Sequence, residues 1–90
     1  MKAPLLLMPQ KPPLAVSHCR FNGQLVSTPA AITEFGQLLI VARYDYLQGK
    51  VEQFDGIDYL QVFADPKEWD RKLWFIDDGT HVKALLPEDY

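Results

Sequence analysis

The chain has 90 residues, nine Lys plus Arg against twelve Asp plus Glu, 48% hydrophobic residues and one Cys. A chain of this length buries only about 60–65% of the surface its unfolded form exposes, which leaves room for one core and excludes a large multi-substrate enzyme. One Cys cannot close an intrachain disulfide, and one thiol with two histidines falls short of a structural zinc site. Packing alone must therefore hold the fold.

The net charge of −3 hides an asymmetry. Residues 1–28 carry Lys2, Lys11 and Arg20 with no acid, whereas residues 29–90 hold six cations and all twelve acids, so a +3 leader precedes a −6 body. An acidic body argues against nucleic acid, whose partners usually present a basic stripe. Three scattered cations are also too sparse for a polybasic membrane anchor. The apolar run Leu5 to Met8 is shorter than the roughly 7–15 residues of a secretory core, and Pro4 and Pro9 interrupt it. With no stretch near the ~18 apolar residues of a membrane span, the reading is a cytoplasmic protein without a membrane partner.

In chain order, Pro4, Pro9, Pro12 and Pro13 make residues 1–13 a proline-rich leader, extended or disordered, because each proline fixes φ and removes a donor. Pro9-Gln10-Lys11-Pro12 fits P-x-x-P, a pattern common in any such leader. Leu5 to Met8 are expected either to dock on the body as an edge strand or to insert into a partner. Residues 14–90 read as a single β-rich domain. Asn22-Gly23, Gln48-Gly49, Asp55-Gly56 and Asp78-Gly79 punctuate it as turns. The strand-like runs between them are Leu14 to Phe21, Gln24 to Thr28, Gln37 to Leu47, Lys50 to Phe54, Ile57 to Ala64, Lys72 to Asp77 and Thr80 to Leu86. Leu38 to Ala42, apolar on both faces, makes the third run the middle of the sheet. Thr28-Pro29 ahead of Ile32 to Phe35, closed by Gly36, suits a short helical turn or a loop. Asp65-Pro66-Lys67-Glu68 has the N-cap acid, the first-turn proline and the Glu of a second one, reaching Lys72. The predicted fold is mainly β (β or α+β): a small antiparallel sheet or barrel of five to seven hairpin-linked strands with one or two short helical turns.

Counting outward from a two-residue Asp78-Gly79 turn pairs Asp77 with Thr80, Ile76 with His81, Phe75 with Val82 and Trp74 with Lys83. Leu73, Phe75, Val82 and Ala84 then share a core face. Trp74, Ile76, His81 and Lys83 share the other, whose mix of large apolar and cationic groups is typical of recognition surfaces. At Asn22-Gly23 the same count puts Cys19, Phe21 and Val26 on one face and His18, Arg20, Leu25 and Ser27 on the opposite one. At Asp55-Gly56 it puts Val51, Leu60 and Val62 opposite Phe54, Ile57, Tyr59 and Phe63. Tyr44 and Tyr46, alternating with Arg43 and Asp45 along the third run, join the candidate partner face.

No catalytic constellation emerges. Ser17-His18-Cys19 sets neighbours on opposite sides of a strand, and the chain has no nucleophile elbow, phosphate-binding glycine loop or calcium ligand ladder. No catalytic residue, metal ligand or cofactor is assigned. The expectation is a small non-enzymatic protein-interaction module, a regulator, inhibitor or accessory subunit. It would bind another protein, or a second copy of itself, through Trp74, Ile76, His81, Lys83, Tyr44 and Tyr46 or through a strand edge. The alternative is a small β-barrel binding oligosaccharide or single-stranded nucleic acid by ring stacking.

Overall fold

The computed structural model describes residues 7–9 and 18–90. It is an α+β fold: a five-stranded mixed sheet with two helices and a short 3-10 turn. The elements are β1 (Met8–Pro9), β2 (Gln24–Ser27), α1 (Pro29–Phe35), α2 (Gln37–Phe54), β3 (Leu60–Asp65), β4 (Glu68–Asp77), β5 (His81–Leu85) and the turn Pro87–Asp89. Across the sheet the order is β1-β3-β4-β5-β2. All neighbours are antiparallel except β2 and β5, which run parallel. The two helices carry the chain from β2 past β5 and β4 to β3, the kind of long connection that strands of like direction require.

Local chemistry accounts for the helices. Thr28 caps α1, its Oγ1 accepting from Ala31 N at 3.1 Å, and Pro29 occupies the first turn, where its missing N–H costs nothing. Gly36, at φ 85°, ends α1 and opens α2. Along α2, Ile40, Tyr44, Leu47 and Val51 recur at helical spacing, and all four pack on the core. Asp55, at φ 55°, then turns the chain out through a left-handed cap.

The helices cover one face of the sheet. Phe63, Leu73, Phe75, Val82 and Ala84 point into this layer and meet Ala31, Phe35, Ile40, Leu47 and Val51, with Leu7, Phe21 and Ile57 closing its margins. Phe63 and Phe75 pack edge-on at 5.6 Å, and Tyr46 meets Phe63 in the same way at 5.9 Å. Each large side chain buried here contributes about 1.5–3 kcal/mol. Gln61, the buried polar member of the layer, donates from Nε2 to Asp58 O at 3.0 Å.

Several sequence expectations are corrected. The sheet is open, so no barrel closes, and β2 makes it mixed rather than wholly hairpin-linked. Gln37 to Leu47 and Lys50 to Phe54 are not strands: both lie in α2, with Gln48-Gly49 in its interior. Asp55-Gly56 caps that helix instead of making a hairpin, since a residue of positive φ followed by Gly serves a helix end as well as a tight turn. Asp65 to Lys72 is not helical. Pro66-Lys67 links β3 to β4, with Asp65 Oδ1 accepting from Lys67 N at 2.9 Å, because proline suits a β-turn as readily as a first helical turn. Asn22-Gly23 joins no hairpin. Cys19 instead pairs with Ile57, while β2 pairs with β5 and turns Val26 out to 45% exposure.

Other expectations fit. Leu7 is buried and Met8–Pro9 add an edge strand to β3, as one of the two readings of Leu5 to Met8 had it. Leu5, Leu6, the remainder of the P-x-x-P match after Pro9, and Leu14 to Ser17 lie outside the described residues.

Candidate functional site

The face of the sheet turned away from the helices is the candidate site. Register pairs place its side chains in rows. Leu60, Ile76, Lys83 and Val26 form one row across four strands, Val62, Trp74 and Leu85 a second, and Met8, Ala64 and Lys72 a third. Neither α1 nor α2 covers these rows. Met8 and Val26 are exposed, Leu60, Val62, Trp74 and Ile76 are half-buried, and Ala64 and Leu85 are buried. Such alternation, with one face in the core and the other apolar yet open, exceeds what scattered surface hydrophobes require.

The link between β4 and β5 is wider than counted: Asp77 faces Val82 and Ile76 faces Lys83, and the three residues Asp78, Gly79 and Thr80 lie between the strands. Carboxylates build it. Asp77 accepts from Gly79 N at 2.9 Å and Phe21 N at 3.0 Å, while Asp78 Oδ1 accepts from His81 N at 2.8 Å and from both Thr80 N and Thr80 Oγ1 at 2.9 Å. Those bonds, the one from His81 N first, hold the Asp78 carboxyl far below the usual carboxylate range. The pairing differs from the two-residue count by two positions, an even step, so every side chain keeps its expected face. Leu73, Phe75, Val82 and Ala84 are accordingly buried, and Trp74, Ile76, His81 and Lys83 lie together on the outer side.

Tyr44 and Tyr46 do not join them. Both lie on α2, on the opposite side of the sheet. Tyr44 donates its hydroxyl to Gly23 O and packs against the core, where burial raises its pKa above the ordinary 10.0. Tyr46 takes the Lys50 ammonium over its ring at 5.3 Å. The residues missed are Val26, Leu60, Val62, Leu85 and Tyr90; strand parity was the signal for Leu60, Val62 and Leu85, whereas Val26 follows only from the pairing of β2 with β5.

A groove of about 530 Å³ opens on this face, floored by Val26, Ile76 and Leu85 and walled by Pro29 and Tyr90, with Lys83 and Asp89 at its rim. Its volume and mostly apolar lining are those of a site for a side chain or small ligand. Lys83 contacts Asp78 at 3.4 Å, an exposed pair of the kind worth little. Trp74 packs edge-on against Tyr90 at 5.8 Å, and its buried Nε1 has no hydrogen-bond partner among the described residues. On the other side of the turn Pro87–Asp89 a second cleft of about 270 Å³ is lined by Phe35, Glu68, Asp70, Arg71 and Lys72. There Arg71 binds Glu34, reaches Asp65 at 3.5 Å and stacks 5.1 Å from the Phe35 ring, so its guanidinium serves to hold α1 to the sheet.

Among the described residues no group of three or more His, Cys, Asp or Glu side chains is placed to hold a metal ion. His18 is exposed, with Nδ1 3.3 Å from Asp55 O, and His81 Nδ1 lies 3.1 Å from Thr80 Oγ1. No helix of the described residues is long and apolar enough to cross a membrane. No family model matches the chain, and neither a curated protein nor a solved structure shows significant similarity to it.

Proposed function

We propose that this is a small non-enzymatic interaction module that binds another protein through the outer face of β3, β4, β5 and β2. The observation that carries the reading is the row structure itself, which neither α1 nor α2 covers: Trp74 and Ile76 at the centre of an apolar sheet face, with a groove beside them and Lys72, Lys83 and His81 at the margins. Tryptophan at the centre of an apolar patch is the residue type most often found at binding hot spots, because it buries much area at low rotamer cost. Tyr44 and Tyr46 are left out of this surface. The compartment that goes with the reading is the cytoplasm, in keeping with a single Cys that cannot close an intrachain disulfide.

The test compares tagged wild type with Trp74→Ala, Ile76→Glu and, as a helix-side control, Leu38→Glu, a position 89% exposed on α2. Wild type and Leu38→Glu are expected to retain the same partner from native lysate. Trp74→Ala and Ile76→Glu should lose it by about tenfold or more while keeping a cooperative melt. Equal capture by all four proteins would remove the outer face as the binding surface. Sedimentation of the purified chain separately reports whether a second copy occupies it.

A further inference from the structure

We infer that the turn Pro87–Asp89 with Tyr90 is a displaceable strap across the outer sheet face, closed in this structure over the indole of Trp74. Four observations support it. The turn is the shared wall of both clefts: Leu86, Pro87 and Glu88 line the smaller, and Asp89 and Tyr90 line the larger. Asp89 ties it to the body, its Oδ2 accepting from Thr28 Oγ1 at 2.8 Å and, within the turn itself, from Leu86 N at 3.1 Å, both exposed bonds, while Leu86 at the turn's entrance rests against the core. Tyr90 lies against Trp74 yet remains 81% exposed, so closure buries little of its ring. The indole that Tyr90 touches has its Nε1 buried without a partner among the described residues, a donor this arrangement leaves unsatisfied.

Closed and open states thus trade modest terms. Closure gains the Asp89 bonds and one ring contact. Opening releases the indole N–H to water or to a carbonyl of a bound chain, and joins the two clefts into one trough along the sheet. Local openings of this kind draw on segments with few buried contacts and exposed hydrogen bonds. The strap stands on its own geometry, and its bearing on binding rests on the interaction face proposed above.

The experiment uses the full chain in a Trp69→Phe background, so that emission reports Trp74 alone; Trp69 is 51% exposed. Asp89→Ala removes the anchor and leaves the Thr28 cap on Ala31 N in place. A hydrogen bond is worth ~1 kcal/mol, or about fivefold in the population of the open state. Acrylamide quenching of Trp74 and solvent exchange of its indole proton are therefore expected to rise by about that factor. Amide exchange within β4 and β5 should stay unchanged. Tyr90→Ala should reproduce the effect with the anchor intact. Unchanged indole exchange in both variants would overturn the strap, and so would loss of β4 and β5 protection in step with it, which would make the turn an integral part of the sheet. Neither readout involves a partner, so failure of the proposed interaction face leaves this result standing.

Discussion

Asp78 shows how a single side chain can serve the fold and set its acid sensitivity. Its Oδ1 gathers the donors of the β4–β5 link, which would otherwise point into a turn without acceptors, and the first of these bonds comes from His81 N at 2.8 Å. The carboxyl is therefore held well below its ordinary value of 3.8. A carboxylate whose pKa is depressed by folding stabilises the native state above its unfolded value, and the contribution is lost as the pH falls toward the folded one. The link should accordingly weaken below about pH 4. Stability measured by denaturant from pH 6 downward is expected to fall more steeply for wild type than for Asp78→Asn, and identical slopes would show that the carboxylate bonds contribute nothing. Tyr44 illustrates the limit of reading residues singly. Its amphipathic ring looked like recognition surface beside Tyr46, but the hydroxyl satisfies Gly23 O and the ring packs on the core.

At the level of elements, glycine had two meanings. Gln48-Gly49 has the composition of a turn, yet it lies inside α2, and a Cβ built at Gly49 meets nothing within 4 Å. Gly49→Ala should stabilise the protein by about 0.5–1 kcal/mol, because glycine loses more backbone entropy in a helix than alanine. Gly23 behaves oppositely. A Cβ there would stand 2.8 Å from the backbone oxygen of Thr80, so Gly23→Ala should destabilise. Paired thermal melts that shift in opposite directions would check both assignments, and a destabilising Gly49→Ala would contradict the helix. Three of the elements were legible locally: α1, from Thr28-Pro29 and Gly36, and β4 and β5, whose face parity survives a shift of two residues. The identity of α2 was also encoded, in the spacing of Ile40, Tyr44, Leu47 and Val51. The apolar run Leu38 to Ala42 in its first turns and the turn-like Gln48-Gly49 hid that period.

On the scale of the molecule, β4 lies at the centre of the sheet, with Leu73 and Phe75 buried, whereas β1 and β2 form its flanks. Amide exchange should be slowest in β4 and fastest in β1 and β2, since opening an edge exposes the least core. Protection of β2 equal to that of β4 would mean that the edge is covered, and the open-edge topology would need revision. The parallel joint of β2 with β5 depends on the whole α1–α2 connection, and it turns Val26 outward beside Lys83 to complete the candidate face.

Composition, strand parity and capping residues by themselves determined a mainly β chain, β or α+β, with an apolar core layer, and they put Trp74, Ile76, His81 and Lys83 together on the opposite side. Such features follow from steric and hydrogen-bonding preferences that act within a few residues. Only the tertiary structure decided that Gln37–Phe54 is a helix, that the sheet stays open, that Tyr44 and Tyr46 lie away from the candidate face and that Tyr90 folds over Trp74. Each of these depends on contacts between residues distant in sequence, where burial against a particular neighbour outweighs the local preference of the segment.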